Sequence, residues 1–312
     1  MSLHRRSVLG LAGGGLLASF APLRQAQAQQ IQSLRLVEPL GKLSVVWTAF
    51  DFVRSGLQQD LKCDVSLETV PGHDGFDAIR AILVPKPGVP ALFGSAVMGT
   101  QYAEGLLKSE IHIESLQPIV KLTNGFSVAL FTKQGGPLKS WADLATVKPL
   151  KVSCLERATA SYVAELMVER KGRIATAVTL RDTILDVVED VTAGSSDAGI
   201  IPTNLLSQQL DRLHPIVTFG AARNAVLNQT PTFGELVGNR KLAFTESVGV
   251  LGSHKLALDV ANRLTDAFMT AGSDPDVIDR AEAENFPLAV SRPEILVETM
   301  KRNRRVLQRI LG

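Results

Sequence analysis

Segments with the two-residue period of a β-strand alternate along most of the chain with segments that have helical spacing. Phe50–Leu61 carries apolar residues at 50, 53, 57 and 61, which predicts a helix, and Val65–Val70 alternates apolar with polar residues, which predicts a strand. The alternation continues to residue 218, and helical segments follow at 254–270, 274–285 and 291–311. This order predicts an α/β fold with mainly parallel sheets.

Two apolar segments suggest how the strands divide between domains. Phe126–Thr132 and Lys241–Leu251 both have the composition of buried strands. If both cross between lobes, residues 133–240 form one lobe, and residues 29–132 with 241–312 form the other. That is the plan of a two-lobed periplasmic binding protein, in which two crossover strands form the hinge and the lobes close on a ligand.

The first 28 residues have the features of an export signal. Met1–Ala28 contains three arginines and no acid, Ser7–Leu23 is uncharged and mostly apolar, and Ala26-Gln27-Ala28 matches the small-x-small pattern of a cleavage site. His4–Leu9 resembles the twin-arginine motif, although ordinary Sec export stays open. We therefore expect a periplasmic protein with no membrane span after processing.

The charge balance gives no reason to expect a polyanionic partner. The chain has 33 Lys and Arg against 31 Asp and Glu, and 45% of its residues are apolar. Loss of 1–28 removes three bases and no acid, so the mature chain has 30 bases and 31 acids. Binding to nucleic acid or to anionic lipid is therefore not expected. Cys63 and Cys154 fall in different predicted lobes, and we expect both to be unpaired thiols.

Known catalytic and metal-binding motifs are absent from the sequence. The five histidines have no metal-ligand spacing, and there is no nucleophile elbow, P-loop or dinucleotide-binding glycine motif. We expect no catalysis, no cofactor and no metal.

One loop does have the features of an anion site. Ser153, Thr159 and Ser161 flank the predicted start of a helix that directly follows a strand. Unpaired N–H groups at such a helix start attract negative charge. Simple capping of the helix by a hydroxyl is the alternative interpretation.

Over Leu34–Leu311 the chain resembles the Bug family, the extracytoplasmic solute receptors of tripartite tricarboxylate transporters. The similar segments follow the family's order and spacing: Pro71–Gly75 (P-G-x-G-G), Phe93–Ser95 (L-G-[ST]), Ser115–Val120 (D-F-x-P-V), Ser153–Met167 (S-S-G-N-G-T-S-S-H-L-A-G-E-L-F) and Pro231–Glu235 (P-T-x-x-E). The resemblance implies a type II Venus-flytrap fold that holds a carboxylate ligand by loop backbone, hydroxyls and water. Ser95, Ser153 and Thr159 are the hydroxyl residues that match.

The sequence departs from the family pattern around the implied pocket. The family's glycine-rich loop corresponds to residues 39–51, which lack the glycine pair, and only Thr48, Ala49 and Asp51 align with it. Arg157 replaces a glycine of the second-lobe loop, and Arg181 stands where lysine is usual. The resemblance implies ligand contacts from Thr48, Ala49, Asp51 and Arg181, with an altered preference for the ligand. Arg157 has two interpretations, a bidentate contact with the ligand carboxylate or a solvated loop arginine paired with Glu156.

The expected function is capture of a small organic acid in the cleft for a membrane transporter or a sensor kinase. A different anion, such as an aromatic acid or a sulfonate, is the alternative among binding proteins. Two other classes stay open: an exported enzyme on the same fold that uses Cys154 or Asp51, and an interaction protein that needs no ligand.

Overall fold

The protein is described by a computed structural model that covers residues 31–42, 44–72, 75–84, 86–95, 116–157 and 159–312. The predicted export signal, residues 1–28, lies outside these residues. The strands are β1 Ser33–Glu38, β2 Asp64–Thr69, β3 Ala91–Gly94, β4 Leu116–Thr123, β5 Val128–Lys133, β6 Leu150–Leu155, β7 Thr176–Arg181, β8 Ala198–Pro202, β9 Leu213–Thr218, β10 Gly249–Ser253 and β11 Leu288–Ser291. The helices are α1 Val45–Leu61, α2 Phe76–Leu83, α3 Trp141–Leu144, α4 Ala160–Arg170, α5 Ile184–Ala193, α6 Thr203–Leu206, α7 Phe233–Leu236, α8 Leu258–Gly272, α9 Pro275–Ala283 and α10 Pro293–Leu311.

The described strands form two separate sheets, which we call the sheets of lobe 1 and lobe 2. The lobe 1 sheet has the order β11-β4-β10-β3-β1-β2, and the lobe 2 sheet has the order β7-β6-β8-β5-β9. The predicted two-lobed α/β architecture is therefore confirmed. The exact lobe boundaries stay a prediction.

The prediction of mainly parallel sheets needs correction, because both sheets are mixed. In lobe 1, β1 runs parallel to β2 and β3, whereas β10 and β11 form antiparallel pairs. In lobe 2, β6 runs parallel to β7 and β8, whereas β5 is antiparallel to both of its neighbours. Each antiparallel pair includes β4, β5 or β10, the strands next to the passages between the lobes.

The two passages between the lobes are joined by backbone hydrogen bonds. Phe126 and Glu246 form an antiparallel bridge in which each N–H donates to the other residue's carbonyl at 2.8 Å. A third link is α10, because Leu296 packs in the lobe 1 core while Val306, Leu307 and Ile310 pack in the lobe 2 core. The bridge fixes the backbone of Glu246 at the junction of the lobes.

Several predicted elements differ from the structure. The predicted long strand at 241–251 is a crossover segment followed by β10, which begins at Gly249. The helical spacing of Thr203–Leu213 predicts a longer helix, but α6 ends at Leu206. The first helix begins at Val45 instead of Phe50, because Ser44 is extended and its hydroxyl accepts the Trp47 N–H at 3.0 Å.

Candidate functional site

The loop after β1 closes around a buried carboxylate of the protein itself. Glu38, the last residue of β1, is fully buried. Its carboxylate accepts hydrogen bonds from the N–H groups of Leu40 and Gly41, both at 2.7 Å. The hydroxyls of Ser44 and Thr69 also donate to it, at 3.0 and 2.7 Å. These donors are therefore engaged by Glu38.

The predicted ligand residues of the first loop lie within α1. Thr48 is half-buried, and its hydroxyl donates to the Ser44 carbonyl at 3.1 Å. The Ala49 side chain is fully buried in the lobe 1 core. Asp51 is exposed in the second turn, where its carbonyl accepts from Arg280 Nη2 at 3.4 Å. The helix start predicted at Phe50 is wrong, because the helix that borders the loop begins directly after Ser44.

Ser95 lies at the carboxyl end of β3, as the predicted site requires. It is 9% exposed, and its N–H donates to the Gly249 carbonyl at 2.9 Å, which fixes its position against β10. Since β1 and β3 are parallel, the loops that follow them leave the same edge of the lobe 1 sheet.

Two predicted residues of lobe 2 meet at an aspartate that sequence analysis did not single out. Asp190, on α5, accepts from Arg181 Nε and Nη2, both at 2.8 Å. The Ser153 hydroxyl donates to it at 2.7 Å, and Ser195 Oγ donates at 3.1 Å. The pKa of Asp190 lies below its ordinary value, chiefly because Arg181 donates hydrogen bonds to the carboxylate. The hydrogen bonds from the Ser153 and Ser195 hydroxyls lower it further. Ser153 lies in β6 with no exposed surface, so its hydroxyl supports Asp190.

The predicted helix start at Thr159 is confirmed. Thr159 is the N-cap of α4: its hydroxyl accepts the Tyr162 N–H at 3.4 Å and donates to the Glu156 carbonyl at 2.8 Å. Thr159 is 3% exposed, whereas Arg157 in the preceding loop is exposed. The hydroxyl therefore caps the helix, and Arg157 lies on the surface of this loop.

A second carboxylate of the protein lies at the start of α4. The carboxyl of Glu246, in the crossover segment, lies beside the backbone of Ala160, the first residue of the helix. Burial raises the pKa of the Glu246 carboxyl to about 7, and the neighbouring Ala160 backbone opposes that rise. The helix start that sequence analysis offered to a ligand anion thus already carries an acidic side chain.

A cavity of about 180 Å³ lies between residues of the two lobes. Ser44, the N-cap of α1, and Thr183, the N-cap of α5, border it from opposite sides. Lys42 and Asp182 bring one charge of each sign to its wall. The other lining residues are Leu40, Gly41, Leu155, Ile184 and Leu185. The helices α1, of 17 residues, and α5, of 10 residues, therefore both direct their positive N-terminal ends toward this one small cavity.

The two cysteines are unpaired, as predicted. Cys154 is fully buried in the lobe 2 core, and burial raises the pKa of its thiol. A buried thiol of this kind is inert, so its environment does not favour the nucleophile considered for an enzyme. Within the described part of the chain, no group of three metal-ligating side chains comes together, and no helix is long and apolar enough to cross a membrane.

The three acidic residues that organise the site were not predicted. Asp190 gave a signal, since it interrupts the buried apolar face of α5, whose other members include Ile184, Val187 and Val191. The sequence around Glu38 and Glu246 carries no such signal. The partners of Glu38 depend on how the following loop folds, and Glu246 pairs with Phe126, which is distant in the chain.

Comparison with known proteins identifies the fold. No protein-family model and no curated protein sequence matches the chain. Among solved structures, the periplasmic binding protein BugD has a TM-score of 0.77 at 13% identity, with 90% of this chain and 97% of that chain covered. MatC from Rhodopseudomonas palustris with bound malate has 0.75 at 17%, with 89% and 99% covered. An R. palustris protein with adipate has 0.75 at 12%, with 89% and 96% covered. The resemblance found in the sequence is thereby confirmed at the level of the fold.

Proposed function

We propose that this chain is an extracytoplasmic solute-binding protein of the Bug type, which captures a small organic acid between its lobes without catalysis. The observation that carries the proposal is the interlobe cavity: the N-cap residues Ser44 and Thr183 border it from opposite lobes. Solved proteins of the same fold hold malate and adipate. The proposal includes export by the predicted signal and delivery of the ligand to a tripartite tricarboxylate-type transporter or a sensor.

The topology supports a site at this place. Loops that carry predicted site residues or a helix start follow five of the strands. These strands are β1 and β3 in lobe 1, and β6, β7 and β8 in lobe 2. In α/β sheets, ligands bind outside the carboxyl ends of parallel strands. Ser95 directly follows β3, and Arg181 is the last residue of β7. We propose that both residues border the ligand.

The electrostatics of the cavity suit a compact anion. A helix N-terminus carries about half a positive charge, and the ammonium of Lys42 adds a full one. Asp182 opposes them on the lobe 2 side. Since Glu38 already accepts from Leu40, Gly41 and Ser44 at the start of α1, we expect the carboxylate of the ligand to lie close to Lys42 on the lobe 1 side.

Calorimetry with a panel of small organic acids tests the proposal. We expect one acid to bind with a stoichiometry of one and to be recovered unchanged, as judged by NMR of the mixture. Lys42→Gln should weaken that binding roughly three- to tenfold without lowering the melting temperature, because Lys42 is exposed. Lys241→Gln, which removes an exposed lysine outside this cavity, is the matched control. Conversion of the ligand, or no binding of any acid, would contradict the proposed function.

A further inference from the structure

A second cavity, of about 730 Å³, lies along β9, the edge strand of the lobe 2 sheet. The segment 226–231 faces the strand across the cavity, and the two are joined at Thr218, whose N–H donates to the Pro231 carbonyl at 3.0 Å. Trp141 of α3 is part of the wall, and its ring packs edge-on against Phe233 with 5.7 Å between centroids. Hydrogen bonding and ring packing therefore hold these walls in place.

This cavity is separate from the one between the lobes. Leu155, the last residue of β6, lines the interlobe cavity, and β8 is parallel to β6. Because β8 and β9 are both antiparallel to β5, they run in the same direction. The start of β9, with Leu213 and His214, therefore lies at the opposite end of the sheet, and the two cavities share no lining residue.

The wall contains a buried hydroxyl that the protein does not use. Thr230 lines the cavity and is 7% exposed, and its hydroxyl has no hydrogen-bond partner among the described residues. Its N–H donates to the Leu227 carbonyl at 2.9 Å, which fixes the position of the residue. Buried polar side chains are nearly always hydrogen-bonded. The Thr230 hydroxyl is therefore available to a polar group of a molecule in this cavity.

The rest of the wall is mostly apolar and carries one positive charge. Leu213 and Ile216 contribute apolar surface, and Lys139 is the only lysine, arginine, aspartate or glutamate among the described residues of the wall. The Lys139 carbonyl accepts from His214 Nε2 at 3.1 Å, which ties this loop to β9. Asp143 accepts the Lys139 N–H at 2.9 Å, but it lies outside the wall. Apolar surface beside a single cation suits an amphipathic anion.

The backbone at this edge disfavours an added peptide strand. Pro215 lies within β9, Pro231 lies in the facing segment, and both line the cavity. Proline has no N–H to donate to a ladder, and its presence at a sheet edge prevents pairing with another chain. A volume of about 730 Å³ is within the range of pockets that hold small molecules. The edge therefore favours a small molecule over an extended peptide.

We propose that this cavity is a second binding site, which takes an amphipathic monocarboxylate. The apolar body of the ligand packs against Trp141 and Leu213, and its carboxylate accepts a hydrogen bond from the Thr230 hydroxyl. Lys139 favours the negative charge across the cavity. The inference does not rest on the function proposed for the interlobe cavity.

Octanoate is the probe, and 1-octanol and acetate are matched compounds that lack its charge or its apolar chain. The chain has two tryptophans, so a Trp47→Phe variant leaves Trp141 as the single fluorescent reporter on this wall. We expect octanoate to change the Trp141 fluorescence saturably, with a stoichiometry of one by calorimetry. Acetate should bind at least tenfold more weakly because it buries little apolar surface, and 1-octanol at least threefold more weakly because it has no charge.

Two variants and a control locate the binding. Thr230→Val keeps the shape of the side chain and removes a hydroxyl without a described protein partner. It should weaken octanoate binding roughly tenfold without lowering the melting temperature. Ala142→Phe places a ring at an exposed position of the wall and should weaken binding at least tenfold by filling the cavity. Ala145→Phe makes the same exchange at an exposed position outside the wall and should change nothing.

The outcomes separate this site from the interlobe cavity. Lys42→Gln alters only the interlobe cavity and should leave octanoate binding unchanged, so a loss in that variant would place octanoate there and overturn the second site. Absence of saturable octanoate binding, or unchanged affinity in folded Thr230→Val and Ala142→Phe variants, would also overturn it. Equal affinity for 1-octanol would refute the preference for an anion. None of these results bears on capture of an organic acid between the lobes.

Discussion

The hydrogen bond from Ser153 to Asp190 gives a stability prediction whose size follows from the structure. Ser153→Ala removes a fully buried hydroxyl that donates to Asp190 Oδ2 at 2.7 Å. A hydrogen bond to a charged group contributes roughly 1.5–3 kcal/mol to stability. Arg181 and Ser195 continue to donate to the carboxylate in the variant, so we expect the lower end, a loss of about 1.5 kcal/mol.

Thermal and urea unfolding measure this loss. At about 2–4 °C for each kcal/mol, as found for domains of 150–250 residues, the melting temperature should fall by about 3–6 °C. A double-mutant cycle with Asp190→Asn should give a coupling energy of about 1–2 kcal/mol, and Ser55→Ala on the exposed face of α1 serves as the control. Because the Ser153 hydroxyl has no exposed surface, ligand affinity should change by less than about threefold.

The same bond predicts a dependence on pH. The pKa of Asp190 is lowered, chiefly by Arg181, so the stability that its ionised form contributes is present above the ordinary aspartate pKa of about 3.9. That stability is lost as the pH falls through the lowered pKa of the folded state. The effect of Ser153→Ala should therefore be largest near neutral pH and shrink in acid. A coupling energy below about 0.5 kcal/mol at pH 7 would refute the reasoning.

Three further predictions concern the thiols, Glu246 and the N-terminus. Thiol titration of denatured, unreduced protein should count two thiols, and a count of zero would reveal a disulfide. In the native protein Cys154 should be protected from the reagent, because it is buried and burial raises the pKa of its thiol. Because burial raises the pKa of Glu246 from 4.5 to about 7, the native state binds more protons than the unfolded chain in that interval, and urea unfolding should show stability falling as the pH rises through it. Glu246→Gln should reduce that slope and Glu282→Gln, at an exposed position of α9, should not; equal slopes would mean that Glu246 is not buried. Intact mass of the exported protein should place its N-terminus at Gln29, and retention of 1–28 would contradict the predicted signal.

Local patterns in the sequence predicted the elements whose signals are short-range. The start of α4 at Thr159 was predictable because a threonine follows a strand and precedes a helical run. The start of α1 was not, because Val45-Val46-Trp47-Thr48 is rich in β-branched residues and hides the cap at Ser44. The strand β4 was missed since Pro118 and Lys121 interrupt its apolar pattern, although Lys121 is 6% exposed and donates to the Thr123 carbonyl.

The site was harder to predict because its polar contacts join residues that are far apart in the chain. Ser153 was selected for its hydroxyl, but the hydroxyl donates to Asp190, 37 residues away, inside lobe 2. Ala49 aligned with a ligand loop, but the early start of α1 turns it into the core. The resemblance assigned these residues to loops, but Thr48, Ala49 and Asp51 lie within α1 and Ser153 lies within β6. Which side chains a loop presents depends on where the helices begin and on the buried Glu38, and neither has a short-range signal.

The central claim is that a ligand binds between the lobes and brings them together. Pulsed electron-electron resonance between spin labels at two exposed positions, Gln59 on α1 and Glu169 on α4, tests it directly in a Cys63→Ser background. Each label lies on a helix of one lobe, so their separation reports the hinge. We predict that a saturating acid ligand shifts the distance distribution to shorter values and narrows it. Stoichiometric binding with an unchanged distribution would contradict the claim.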